Sequence, residues 1–451
     1  MKYVSTRGDA PVLGFGDVLL AGLASDGGLY VPEAWPRLDP QVWAEPRPYA
    51  DVAVEVMWPF VEGSIDRPDF EAIVSSAYAT FDHPEVCPVV ELGDLHLLEL
   101  FWGPTLAFKD VALQLVGRLF DHELAARQER ATIIVATSGD TGSAAIEACV
   151  GSEHLDIVVL HPAGRVSDVQ RRQMTTVHEP NVHNVAIEGT FDDCQDLVKA
   201  LFSDEAFRRR VRLSAMNSIN WARVMAQVVY YVSTTGRLGR SSFSVPSGNF
   251  GNIFAAWVAE QMGLPVHQLV IGSNSNDILA RWVADGSLVV EQVVPTSSPA
   301  MDIQVSSNHE RLIFELTGRD GAATSELMAR FRGTGAVEVP KTDRFQAATV
   351  DDDATLAAIG EVHRDHGVLV DPHTAVGIVA ARRERRGSDV PMVCAATAHP
   401  AKFPDAVEKA TGIRPPLPGR LADLMAGEER FDVLPADPSV VAAHVESCTS
   451  S

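Results

Sequence analysis

The sequence predicts an α/β protein, a parallel, doubly wound sheet with helices on both faces behind a small N-terminal domain. Three observations carry this reading. From Ala131 onward short β-rich runs alternate with longer helical patterns, the order that yields parallel strands joined by crossover helices. Three strand-to-helix junctions are rich in Gly, Ser, Thr and Asn, the kind of turn on which ligands collect in such sheets. Residues 1–84 read differently, with prolines at 32, 36, 40, 46 and 48.

In the N-terminal domain (1–84) a helical pattern over 70–81 stops before Asp82-His83-Pro84, because proline cannot continue a helix. The main α/β region spans 85–420. It opens on Gly103-Pro104-Thr105-Leu106-Ala107-Phe108-Lys109-Asp110 and a helix over 111–119. ATIIVA at 131–136 is a strand of mostly β-branched residues, and the turn after it leads into a helix over 143–150. Strands follow at 156–160 and 182–187, with helices at 192–202 and 220–235. A strand at 243–246 runs through SGNFGN into a helix over 253–262, and a strand at 268–272 precedes a helix from Asn276. Residues 286–343 have weaker periodicity and read as an insertion. Residues 350–353 cap a helix to His366, a second helix covers 373–386, and a strand at 392–396 ends at Thr397-Ala398-His399-Pro400. Residues 421–451, with Pro435, Pro438 and small polar residues, read as a peripheral segment.

Composition narrows the function classes. With 451 residues, 46% hydrophobic and 22% charged, the chain is neither disordered nor fibrous. It carries 37 Lys+Arg against 60 Asp+Glu, a formal charge of −23, so nucleic acid and anionic membrane surfaces are poor partners. An anionic substrate would need a local basic island. The five cysteines are scattered and never form a C-x-x-C pair, which suits reduced thiols in the cytoplasm. The opening residues show no basic stretch followed by an apolar one, so no secretory signal is expected. No uncharged apolar run approaches the roughly 18 residues of a membrane span. The choice between monomer and homodimer stays open.

The ligand-binding turns are Thr137-Ser138-Gly139-Asp140-Thr141-Gly142, Ser247-Gly248-Asn249-Phe250-Gly251-Asn252 and Thr397-Ala398-His399-Pro400. Glycines let backbone N–H groups converge on an anion, and the helix start behind them adds about half a positive charge. Neither glycine-rich loop matches G-x-x-x-x-G-K-[ST] or G-x-G-x-x-G, which disfavours an ATPase or a nicotinamide enzyme. Lys109, beside Phe108 at the start of an apolar helix, is a candidate for a desolvated amine able to form a Schiff base. Only six basic residues are lysines: Lys2, Lys109, Lys199, Lys341, Lys402 and Lys409. His363 and His366 share a helix with Asp365 between them but lack a third ligand nearby, so no metal site is expected.

Taken in order, GPTLAFKD, ATSGDTGSAA, PSGNFGN and a strand ending in TAHPAKF resemble the threonine synthases, pyridoxal-phosphate enzymes of fold type II. YVSTRG near the start and GLASDGGLYVP at 22–32 resemble the longer-chain class with an extra N-terminal domain. The likeness covers roughly residues 1–410 and implies two lobes of mostly parallel sheet. It implies that Lys109 is the Schiff-base lysine and a proton carrier. Gly248, Asn249, Phe250, Gly251 and Asn252 would cradle the phosphate of pyridoxal 5'-phosphate. Ser138, Gly139, Asp140, Thr141 and Gly142 would meet the substrate carboxylate and the cofactor's ring edge, with Asp140 where many fold-type-II enzymes carry Asn. Thr397 would meet the pyridine nitrogen. Arg172 or Arg171, Arg281 and Lys341 are the options for the substrate phosphate. The implied reaction is a β,γ-replacement on O-phospho-L-homoserine. Lys109 takes the Cα proton, a Cβ proton leaves, phosphate is expelled, Cγ is reprotonated and water adds at Cβ to give L-threonine. A serine/threonine dehydratase and a non-catalytic homologue are the alternatives; the N-terminal domain argues against the first, and the intact loops against the second.

Overall fold

The computed structural model describes residues 1–137 and 139–449. Two sheets organise the chain. The first has five parallel strands, ordered Asp432–Pro435, Val182–Glu188, Leu155–Pro162, Ala131–Ala136 and Leu213–Ser214. The second has six, ordered Phe345–Thr349, Val266–Ser273, Ser241–Pro246, Met392–Ala396, Leu95–Glu99 and Val89–Leu92, all parallel except the last pair. The strands Leu155–Pro162, Ser241–Pro246 and Met392–Ala396 are buried along their whole length, as expected of parallel strands covered on both faces.

Strand order locates the ligand crevice. In the five-stranded sheet the chain leaves Ala131–Ala136 toward Leu155–Pro162 on one side, while Leu213–Ser214 lies on the other. In the six-stranded sheet it leaves Ser241–Pro246 toward Val266–Ser273, while Met392–Ala396 lies on the opposite side. Such reversals open a crevice at the carboxyl ends of the strands. The turns after Ala136, Pro246 and Ala396, all three expected to bind ligand, sit at these two reversals.

The N-terminal segment joins the same core as the sheets. Tyr3 and Trp221, both fully buried, lie 6.1 Å apart between ring centroids. Arg7 of YVSTRG meets Glu310 through two hydrogen bonds of 2.9 and 2.8 Å, and the Thr6 hydroxyl donates to the same carboxylate at 2.7 Å. This motif is therefore a latch holding the chain start on the helix His309–Leu316.

Several elements differ from the sequence expectation. The helix placed at 70–81 runs Arg67–Tyr78, because Pro68 occupies its first turn, where the missing N–H costs nothing. The presumed insertion at 286–343 holds the latch helix, in which His309, Glu310, Arg311, Leu312, Ile313 and Phe314 are all buried. Its buried residues include Glu310 and Arg311, charged side chains whose partners Arg7, Tyr30 and Ile219 lie far away along the chain, so local apolar spacing does not announce its burial. The tail at 421–451 does not merely lie on the surface. Asp432–Pro435 extends a sheet, and the helix Pro438–Cys448 seats Val441 and Val445 in a core cluster. The hairpin Val89–Leu92 and Leu95–Glu99 turns at Gly93-Asp94, with Gly93 at φ 61°, a two-residue signal that the sequence reading passed over. Among the described residues no helix is long and apolar enough to cross a membrane, and no cluster of metal ligands forms.

Candidate active site

The Lys109 loop follows Leu95–Glu99 and is stitched to the neighbouring strand end. Phe108 N–H donates to Thr397 O at 2.8 Å, His399 N–H donates to Leu106 O at 3.0 Å, and Ala107 and Ala398 form an antiparallel bridge. Leu106 adopts φ 63°, and Asp110 accepts from both the N–H and hydroxyl of Thr105, so the loop is fixed on both sides of the lysine. Lys109 opens the helix Lys109–Arg127 with its side chain 11% exposed and its Nζ 5.0 Å from the Phe108 ring centroid.

Across the crevice, the turn after Ala131–Ala136 is organised by Thr137, whose hydroxyl accepts from the N–H groups of Gly139 and Gly142 at 2.9 Å each. Gly139 has φ 146°, and a Cβ there would lie 2.5 Å from the Gln170 side chain, so only glycine fits. Asp140 starts the helix Asp140–Cys149, with its carboxylate accepting from Lys109 Nζ at 3.4 Å, Gln170 Nε2 at 2.8 Å and Lys402 Nζ at 2.9 Å. Burial alone would raise its pKa, but Lys402 and Lys109 together hold the carboxyl well below the usual range. Asp140 is thus ionised. The cost of this buried charge is met by two lysines.

Burial is also the largest influence on Lys109, and it lowers the ammonium pKa. Asp140 opposes this, while Lys402 and Arg223 reinforce it. Arg223, in the helix Trp221–Leu238, is 3% exposed and among the described residues has no carboxylate partner. Its Nη1 donates to Met216 O at 3.2 Å, its buried Nε is unpartnered, and desolvation pulls the guanidinium down to about 10.

The residues expected at the site divide clearly. Lys109, Gly139 and Asp140 cluster with the strand end that carries Thr397, and Ser138 lies outside the described residues. Thr141 and Gly142 follow in the first turn of the Asp140 helix. Phe250 has φ 62°, but its ring packs on Trp282, His309 and Phe345, leaving only its backbone for a ligand. The arginines nominated for phosphate are engaged elsewhere. Arg172 pairs with Glu429 at 3.3 Å and Arg171 with Glu429 at 2.8 Å. Arg281 pairs with Asp277 and Glu291, and Lys341 donates to Ala284 O. Sequence reasoning missed Gln170, Arg223 and Lys402. Gln170 and Lys402 lie within the motifs VQRRQMTT and TAHPAKF, beside the more conspicuous arginines and threonine. Arg223 carried no local signal.

These groups suit a pyridoxal-phosphate cofactor. The N–H groups of 248–252 precede the first α-helical bond of Gly251–Gln261, from Phe254 N–H to Phe250 O at 3.0 Å, and so face outward as anion donors. At Gly248 a Cβ would lie 3.0 Å from Ala300 O and 3.1 Å from Met301 Cα, so a side chain there would have to push the backbone of 300–301 away. Asn252 accepts the Tyr230 and Tyr231 hydroxyls on Oδ1 while its buried Nδ2 is left unpartnered. Thr397, just past the end of the strand Met392–Ala396, is also buried.

Comparison with known proteins agrees with this chemistry. The threonine synthase N-terminus family matches residues 2–78, the pyridoxal-phosphate-dependent enzyme family 92–397 and the threonine synthase C-terminal family 374–445. A threonine synthase of Pseudomonas aeruginosa is 54% identical, covering 99% of this chain and 98% of its own. The crystal structure of a pyridoxal-phosphate-bound threonine synthase from Brucella melitensis superposes with a TM-score of 0.97 at 51% identity, covering 100% of both chains. Maize serine racemase, at 12% identity and a TM-score of 0.51 over 73% of this chain and 92% of its own, shares the fold alone. The chain belongs to the threonine synthase family of pyridoxal-phosphate-dependent enzymes.

Proposed function

We propose that this threonine synthase converts O-phospho-L-homoserine and water into L-threonine and phosphate. The observation that carries the reading is the desolvated Lys109 amine, set where the two strand-order reversals meet, between the ionised Asp140 and the Thr397 strand end. When bound, pyridoxal phosphate supplies a ring that spreads the negative charge developing on the substrate carbons. Lys109 would hold the cofactor and take the substrate Cα proton on its Nζ, a task favoured by its lowered pKa. The 248–252 backbone holds the cofactor phosphate. Thr397 would meet the ring nitrogen with a neutral hydroxyl that does not enforce its protonation, which would leave proton management to Lys109. The Asp140 and Thr141 N–H groups, at a helix start, are offered to the substrate carboxylate.

Arg223, rather than Arg172 or Arg281, receives the substrate phosphate. A buried guanidinium with no carboxylate and a free Nε needs an anion, and a phosphate ester supplies one through charge-assisted hydrogen bonds. We place the enzyme in the cytoplasm, in keeping with five free cysteines.

The test is substrate comparison. O-phospho-L-homoserine should be turned over with kcat/KM far above that for L-serine or L-threonine, because binding energy from the phosphate is used at the reacting centre. Equal deamination of serine or threonine overturns the assignment.

A further inference from the structure

Lys402 is fully buried, yet the reaction as outlined gives it no task. Its Nζ contacts Asp140 Oδ1 at 2.9 Å and donates to Thr105 O at 2.7 Å. Gln170 Nε2 donates to the same Oδ1 at 2.8 Å and is held in turn by the Ser167 hydroxyl, which donates to Gln170 Oε1 at 2.9 Å. One oxygen of Asp140 is therefore occupied by Lys402 and Gln170, while Lys109 reaches only the other, at 3.4 Å. The tighter ion pair in this buried cluster is Asp140 with Lys402, not Asp140 with Lys109.

We propose that Lys402 is a positioning residue that takes up the Asp140 charge, so that the Lys109 nitrogen is not locked as an ammonium ion and can exchange its proton during turnover. The proposal rests on the reading of Lys109 as the cofactor-bearing base. Without Lys402, the full carboxylate charge would face Lys109 in a desolvated crevice, where an opposite charge strongly favours the protonated form. Because Lys402 also repels a proton on Lys109, its removal acts twice in the same direction. The other charged groups around the pair are Arg223 on the helix Trp221–Leu238, which works in the same sense as Lys402, and Asp110 beside Thr105, which accepts the two Thr105 hydrogen bonds. His399, one turn before Lys402, has its pKa pushed down to about 4 by burial and stays neutral near pH 7. None of these can replace a cation on Asp140 Oδ1.

The experiment compares wild type, Lys402→Met and Lys402→Arg holoenzymes by pH titration of the visible absorption of the bound cofactor, which reports protonation of the nitrogen that Lys109 contributes. The acid limb of the kcat/KM profile is the second reading. Lys402→Met should raise the midpoint by about one pH unit or more, a tenfold or greater change in the proton equilibrium. Lys402→Arg, which keeps the charge, should bring it back toward wild type. A residue that only packs would lower the unfolding midpoint and leave both pH midpoints in place. If Lys402→Met does not fold, Asp140→Asn serves instead: with the carboxylate charge gone, two buried lysines face each other and the midpoint should fall. Unchanged midpoints in folded Lys402→Met, or in Asp140→Asn, overturn the proposal. A wild-type protein without a visible cofactor band overturns the reading of Lys109 beneath it.

Discussion

Replacing Arg223 with Met separates function from stability. In the folded protein the guanidinium is buried with one backbone acceptor and no counter-charge. Its pKa falls to about 10, so the buried charge carries a penalty on the order of 3 kcal/mol. Met has a similar length and no charge, and exchanging a poorly compensated buried ion for an apolar side chain is often neutral or stabilising by about 1–4 kcal/mol. Against this stands the lost hydrogen bond to Met216 O, about 1 kcal/mol. Stability should therefore stay level or rise slightly. Toward a phosphate ester the effect is reversed, since a hydrogen bond between charged groups contributes about 1.5–3 kcal/mol. Loss of the contact should lower kcat/KM by about one to two orders of magnitude, at about 1.4 kcal/mol per factor of ten. Inhibition by inorganic phosphate should weaken in parallel. The assays are steady-state kinetics on O-phospho-L-homoserine, phosphate inhibition and denaturant unfolding of the same preparation. A variant that unfolds more easily by several kcal/mol yet keeps wild-type kcat/KM refutes the argument, because Arg223 would then be a structural residue.

Lys109→Ala should abolish turnover and the visible cofactor band while the far-UV circular dichroism stays native; full activity in a folded variant removes the central assignment. Gly251→Val should weaken cofactor retention in equilibrium dialysis, because its Cβ would stand 3.3 Å from the Asn308 amide at the mouth of the phosphate cradle. Glu310→Ala leaves Arg7 buried and unpaired and should cost about 3–5 kcal/mol in denaturant unfolding, with an unchanged midpoint counting against the latch. Glu429 is held at about 2, chiefly by its hydrogen bonds with Arg171. A depressed carboxylate stabilises fully above its ordinary range near 4.3 and is lost as pH falls toward 2, so hydrogen exchange over 428–449 should accelerate across that window. Glu429→Gln should show the faster exchange already at neutral pH.

The local signals were strongest where side-chain pattern and backbone agree. ATIIVA at 131–136 is the observed strand Ala131–Ala136, and the strand at 392–396 is Met392–Ala396, because β-branched or small apolar residues bounded by turn residues leave little choice. The glycine turns at 137–142 and 247–252 announced themselves through backbone demands that other residues meet poorly, such as φ 146° at Gly139. Lys109 stood out by its apolar setting and the scarcity of lysine. All of these are properties of a few consecutive residues.

What tertiary structure alone decided is which distant groups share the crevice. Lys402 lies 262 positions from Asp140 along the chain, and no periodicity says that its amine ends 2.9 Å from that carboxylate. Arg223 read as one more helical arginine, and burial without a carboxylate partner among the described residues sets it apart from Arg172 and Arg281, whose charges are already matched. The buried setting of the helix His309–Leu316 was hard to see because Glu310 and Arg311 are paired by distant residues, and the tail strand Asp432–Pro435 because it is mostly exposed. A sequence states the local preference of each segment. Ionisation, pairing and burial depend on what the fold places around a group, and here that surrounding comes from residues hundreds of positions away.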